Sequence, residues 1–185
     1  MRRILSILAA ALIVPSLFAS TPARADGVSG YLGGGAALAA SSVDNTKDSA
    51  AFRAYGGLMF SEHYGVELGY IDFGKFKLKN APSGNNIEDN GGYLALSGFN
   101  WIAPRVELTG KVGGFYYHHT THANGVETSS DHGTSALLGV GMNFYLNSDV
   151  ALGLEYDYLT DIESEHINSG WLLIHIFPGP RPVPK

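Results

Sequence analysis

The chain has 185 residues, no cysteine, and 17 acidic against 12 basic residues, for a formal charge of −5. The acidic balance argues against nucleic acid as a partner, and the lack of cysteine excludes disulfides, a lipid-modified N-terminal cysteine and thiolate metal sites. Charged residues are 16% of the chain, against about 25% in soluble domains, which is too few to coat a wholly water-facing surface.

The first 25 residues read as a secretory signal peptide: Arg2 and Arg3, an apolar run from Ile4 to about Phe18, then Ala23-Arg24-Ala25 as a small-residue cleavage site. A transmembrane anchor fits less well, because Pro15 breaks the run and a helical span needs roughly 20 apolar residues. Cleavage after Ala25 leaves 160 residues with nine basic and seventeen acidic side chains, a formal charge of −8 and the length of one domain. An exported chain without cysteine suits a bacterial envelope protein.

Eight strand-like segments follow, at 28–38, 50–60, 65–75, 91–101, 105–117, 133–146, 150–159 and 169–177. The clearest is GVELGYIDFGKF at 65–76, where Val66, Leu68 and Tyr70 alternate with Glu67, Gly69 and Ile71, the period of a strand with two unlike faces. Short links, Ser61 to Tyr64, Ala103-Pro104 and Asn147-Ser148-Asp149, alternate with long polar ones near 39–49, 76–90, 118–132 and 160–168. Short turns at one end and long loops at the other predict an all-β fold, an eight-stranded antiparallel up-and-down transmembrane β-barrel over 26–177 with a Pro-rich tail at 178–185.

Alternation alone leaves open which face is inside, since a lipocalin-like barrel turns its apolar face inward. Composition decides. Leu152, Leu154, Tyr156 and Tyr158 oppose Ala151, Gly153, Glu155 and Asp157, and Leu138, Val140, Met142 and Phe144 oppose Leu137, Gly139, Gly141 and Asn143. The second set is small and sparsely charged, as a narrow filled interior requires. Aromatic residues near strand ends, Tyr64, Phe73, Trp101, Tyr116, Phe144, Tyr158, Trp171 and Phe177, are expected to form the interfacial girdles; the competing reading is that they are core aromatics of a soluble sandwich.

The stretches AYGGLMFSEHYGVELGYIDFGKF (54–76), VELTGKVGGFYY (106–117) and GVGMNFYLNSDVALGLEYDYLTDI (139–162) resemble the OmpA-like transmembrane domain family. The resemblance implies an integral outer-membrane barrel with a polar, ion-paired interior, in which Glu67 and Lys111 match charged interior positions and Gly153 stands where the family has an arginine. It also implies that SGWLLIHIF, ending in Phe177, presents the terminal aromatic read by the outer-membrane barrel-assembly machinery, and that PGPRPVPK resembles the start of a Pro-rich linker. No peptidoglycan-binding domain is expected here, so a wall-tethering role is not carried over.

Alternation places Arg53, Glu67, Glu107, Lys111, Glu155 and Asp157 inside. Unpaired charges there would cost several kcal/mol each, so the two cations should pair with carboxylates and at least one carboxylate should be held by hydrogen bonds or water. His118, His122 and His132 form a candidate Zn²⁺ or Cu²⁺ site in the third long segment, beside His119 and Asp131, with solvated loop residues as the plainer reading. No cofactor is expected. A lipid A-modifying enzyme would need a nucleophile and base at i and i+2, but no His-x-Ser occurs, and Ser97 and His175 are the only comparable groups in the wall. The chain is therefore expected to be a non-enzymatic outer-membrane protein in contact with lipid and lipopolysaccharide. Its acidic loops, with Asp44, Asp48, Glu88, Asp89, Glu127, Asp131, Asp161, Glu163 and Glu165, would meet the surface through divalent cations. The alternative is a small pore using space left by Gly57, Gly69, Gly113, Gly139, Gly141 and Gly153.

Overall fold

The computed structural model describes residues 28–41, 48–77, 85–123, 126–162 and 165–178, so the expected signal peptide and most of the Pro-rich tail lie outside the described residues. Eight strands follow in order: β1 (Ser29–Ser41), β2 (Ser49–Met59), β3 (Tyr64–Lys77), β4 (Asn86–Ala103), β5 (Val106–Ala123), β6 (Val126–Tyr145), β7 (Val150–Ile162) and β8 (Glu165–Ile176). Each pairs antiparallel with its sequence neighbour, and β1 closes on β8 from Leu32↔Ile176 to Ser41↔Ile167, giving a closed barrel without a free edge at its waist.

The side-chain partition is the reverse of a soluble barrel. Leu68, Leu96, Val140 and Leu172 point outward and are 65%, 61%, 62% and 59% exposed, while Arg53, Glu67, Glu107, Lys111 and Asp157 are buried inside. Only a hydrocarbon solvent makes that arrangement favourable, and closure satisfies the backbone without water.

At one rim the strands are joined by tight turns. In the first, Phe60 N–H donates to the Tyr64 carbonyl and Ser61 Oγ accepts from Tyr64 N–H. In the second, Arg105 adopts a φ of 66°. In the third, Asn147 Oδ1 accepts from Asp149 and Val150 N–H. The end of β8 sits here too, with Phe177 N–H on the Asp149 carbonyl, so this is the periplasmic rim of an even-stranded barrel.

The opposite rim departs from expectation. The described residues of segments 76–90 and 118–132, expected as loops, are largely strand: Asn86–Asn90 pairs with His118–His122, and His118–Ala123 pairs with Val126–His132. β4, β5 and β6 are 18, 18 and 20 residues long, against 11 for β2 and 12 for β8. Above the lipid neither face meets hydrocarbon, so a ladder can continue in Thr, Ser and His without hydrophobic alternation to announce it. β3 carries a bulge between Asp72 and Lys75, where Gly74 has a φ of 68° and donates its N–H to Asp72 Oδ1.

Candidate functional site

The girdle expectation needs correction. Tyr64, Tyr116 and Phe144 are exposed on the outer wall and Tyr158 is half-buried beside His166, but Phe73, Trp171 and Phe177 are buried inside at 0%, 2% and 4% exposure. Trp101 is half-buried, its ring 4.8 Å from that of Tyr145. Phe73, Trp171 and Phe177 share the odd-numbered, inward register of their strands, and register outranks nearness to a strand end. The outer rim instead carries Tyr70 and Tyr156, exposed and donating to Asn90 Oδ1 and Asn168 Oδ1. Each ring thus has an apolar body toward lipid and a polar tip toward water.

Inside, all six expected charges face the lumen and five of them form one cluster. Arg53 on β2 donates through Nη1 to Asp157 Oδ2 and through Nη2 to Glu155 Oε1, both at 2.6 Å across the barrel on β7. Lys111 on β5 bridges Glu155 Oε1 at 2.7 Å and Glu67 Oε1 at 3.0 Å. Glu67 also accepts from Tyr31 at 2.8 Å and Tyr93 at 2.6 Å. The guanidinium carbon lies 4.7 Å from the Trp171 ring centroid and 5.1 Å from that of Tyr55. Glu107 sits nearer the periplasmic rim and accepts from Asn143 Nδ2 and Tyr145 OH.

The partners that sequence reasoning missed are the tyrosines, and a signal for them existed. Tyr31 stands directly across from Gly57, and Tyr93 from Gly69. Each ring lies over its glycine, and a Cβ at Gly69 would fall 2.5 Å from Tyr93 Cε1. Gly57 and Gly69 are therefore recesses for neighbouring rings, which fill the space the pore reading relied on at those two positions. Gly139 and Gly153 are likewise overlain, by Lys111 with Asp157 and by His175 with Asn143. Beside the cluster a cavity of about 20 Å³ remains, touched by Ser97, Thr109 and His175, enough for about one water.

Apolar side chains close the lumen on both sides of the charges. Ile71, Phe73, Phe115, Leu137, Leu159 and Ile167 are fully buried toward the outer rim, with Phe73 set edge-on to Phe115 at 5.9 Å. Toward the periplasm, Tyr31 meets Phe99 at 6.2 Å and Tyr145 stacks on Phe177 at 5.5 Å. Ser97 and His175, the candidate enzymatic pair, both point inward, His175 onto the Tyr55 hydroxyl, so neither belongs to the lipid-facing wall where a lipid A enzyme would need them.

The three metal candidates do not converge. His118 and His132 are cross-strand partners with Nδ1 atoms 3.3 Å apart. His122 lies four residues along β5, about 13 Å away for an extended chain, and faces Glu88 at 3.6 Å. Among the described residues no group of three or more His, Cys, Asp or Glu is gathered for a metal. Of the expected loop carboxylates, Glu88 and Asp89 lie in β4: Glu88 pairs with Lys75, and Asp89 is buried against His119 Nδ1 at 2.6 Å. Asp48 and Asp131 are exposed, Asp131 within β6; Asp44 and Glu163 lie outside the described residues, as do the side chains of Glu127, Asp161 and Glu165.

A closed eight-stranded wall with an apolar belt, short turns at one rim and an ion-paired filled lumen defines a small integral outer-membrane β-barrel. The chain belongs to the OmpA-like transmembrane domain family, whose pattern matches residues 26–172. It is similar to outer membrane protein A of Serratia marcescens, 27% identical over 72% of this chain and 38% of that protein. It is also similar to outer membrane protein P5 of Haemophilus influenzae, 28% identical over 68% of this chain and 38% of the relative. The chain thus spans about two fifths of the length of these curated relatives. Among solved structures, Neisserial surface protein A is similar at TM-score 0.63 and 14% identity, covering 82% of this chain and 99% of that one. The attachment invasion locus protein Ail of Yersinia pestis is similar at TM-score 0.57 and 16% identity, covering 82% of this chain and 97% of that one. Both likenesses show the fold.

Proposed function

We propose that this protein is a sealed, non-enzymatic barrel that contributes to envelope integrity and meets its surroundings through its outer rim. The observation that carries this reading is the double closure of the lumen, Phe73 and Phe115 on one side of the ion cluster and Tyr31, Phe99, Tyr145 and Phe177 on the other. Eight strands enclose room for side chains and little else, and here the side chains fill it. With the interior committed to holding the wall together, contact with partners falls to the exposed ends. The exposed carboxylates Asp48 and Asp131 suit divalent cations shared with lipopolysaccharide phosphates. Outer-membrane lipid and lipopolysaccharide are the partners of the belt. The barrel-assembly machinery is the partner that reads Phe177, and an N-terminal signal peptide delivers the chain for export.

The test is planar-bilayer conductance of the refolded chain, with a boiled-versus-unboiled gel shift to establish folding. Folded protein without discrete steps supports the sealed barrel; stepwise ion conduction would hand the function to a small diffusion pore.

A further inference from the structure

The β5–β6 hairpin rises above the lipid belt with two polar faces, and its outward face carries a pair of imidazoles that the ion-paired interior does not use. We propose that His118 and His132 together form a two-imidazole site for a borderline divalent transition metal, Zn²⁺ or Cu²⁺, on the outer wall. The residues are register partners on adjacent antiparallel strands, so the backbone, not side-chain chance, sets them opposite one another. Their Nδ1 atoms are 3.3 Å apart. Two nitrogens each roughly 2.0–2.1 Å from a tetrahedral ion stand about 3.3–3.4 Å apart, so the pair already spans one edge of such a coordination shell.

Protons and partners are arranged consistently with that role. When Nδ1 binds a metal, the neutral ring carries its proton on Nε2. His118 Nε2 lies 3.3 Å from Ser130 Oγ, which can accept that proton's hydrogen bond and orient the ring. The N–H of His132 donates to Asp131 Oδ1 at 2.9 Å, fixing the backbone beneath the second ligand. Metal binding displaces the hydrogen bond between the two Nδ1 atoms; a neutral ring that carried its proton on Nδ1 shifts to the Nε2–H tautomer with no net release, and only an imidazolium gives up a proton. His132 is exposed and His118 half-buried, which leaves the remaining coordination positions open to water. The donors are nitrogen without sulfur, which suits Zn²⁺ and Cu²⁺ over Mg²⁺ or Ca²⁺. His118 stands two residues beyond Tyr116 on the same outward row, about 7 Å above the aromatic rim.

The experiment uses the chain isolated from outer membranes in detergent, without an affinity tag, titrated calorimetrically with CuCl₂, ZnCl₂ and MgCl₂ in a non-coordinating buffer. One Cu²⁺ or Zn²⁺ per chain and no Mg²⁺ binding is the expected result. H118N and H132N should each weaken Cu²⁺ binding at least about tenfold, the low end of what losing even an outer-shell partner costs, and the double variant, left with neither imidazole, should lose one-to-one binding. H122N should leave the titration unchanged. Cu²⁺ electron paramagnetic resonance of the unsubstituted chain should show coupling to two imidazole nitrogens, falling to one in each single variant, with gel mobility confirming that the variants fold. Absence of one-to-one binding overturns the proposal, as does binding that survives both substitutions or is lost equally in H122N. If a variant fails to fold, a two-nitrogen spectrum from the unsubstituted chain upholds the site and any other count rejects it.

Discussion

Replacing Arg53 by methionine keeps a long side chain between Tyr55 and Trp171 but removes the charge that holds two carboxylates. Arg53 contacts Glu155 and Asp157 at 2.6 Å each, with side-chain exposures of 1%, 10% and 0% for the three residues. Breaking a buried pair by removing one partner costs about 3–5 kcal/mol, and Arg53→Met is expected in that range. The structure adds an asymmetry. Glu155 keeps Lys111 at 2.7 Å after the change, whereas Asp157 loses its guanidinium partner. Asp157→Asn in the Arg53→Met background should therefore recover about 1–3 kcal/mol, a coupling typical of residues in one network, and Glu155→Gln should recover less. Urea unfolding from lipid vesicles measures both, followed by gel mobility and by the fluorescence of Trp171, whose ring borders the guanidinium. A loss below about 1 kcal/mol, the worth of an exposed pair, or equal rescue by the two amide variants would refute the cluster as drawn.

Other perturbations separate the remaining features. Gly69→Val should lower stability by about 1–3 kcal/mol, because its side chain would overlap Tyr93 and drive the hydroxyl from Glu67; a urea midpoint within error of the parent would refute the ring-over-glycine account. Gly74→Ala forces a Cβ into a φ of 68° and to 2.5 Å from the Ala50 carbonyl oxygen, and should cost at least about 1–2 kcal/mol in the same assay. Leu96→Arg, in the middle of the lipid face, should cost about 2–4 kcal/mol in vesicles, while Asn100→Arg near the periplasmic rim should cost about 0–1 kcal/mol; equal losses would contradict the placement of the belt. Arg53→Met should remain silent in planar bilayers, since the Phe73–Phe115 and Tyr145–Phe177 contacts stay in place.

Where one face meets hydrocarbon and the other a charged lumen, side-chain identity reports register. Val66, Leu68 and Tyr70 against Glu67 and Gly69 was legible for that reason, as was the inward set of Arg53, Lys111, Glu155 and Asp157. Strand β8 was less legible: Trp171, Leu173 and Phe177 face in and Leu172, Ile174 and Ile176 face out, so both faces are apolar and hydrophobicity says nothing about direction. Phe73 was a different failure, because counting from Glu67 through Ile71 already placed it inside. The hairpins above the lipid were invisible, since exposed Ser129, Ser130 and His132 stand on the ladder in water and nothing selects hydrophobic alternation there. Which carboxylate joins which cation was also beyond the sequence, because those contacts cross the lumen between strands that are not neighbours.

Arg53 reaches partners 102 and 104 residues later in the chain. During assembly the N-terminal hairpins must hold that guanidinium, and Lys111 its ammonium, without their β7 acceptors until the last strands arrive. A half-built wall therefore leaves the Arg53 guanidinium without its carboxylates and Lys111 with Glu67 alone, while the finished wall supplies both cations with Glu155 and Arg53 with Asp157 as well. The arrangement ties the pairing of those cations to the arrival of β7 and so to the seam that β8 closes against β1, and a barrel missing its final hairpin forgoes it.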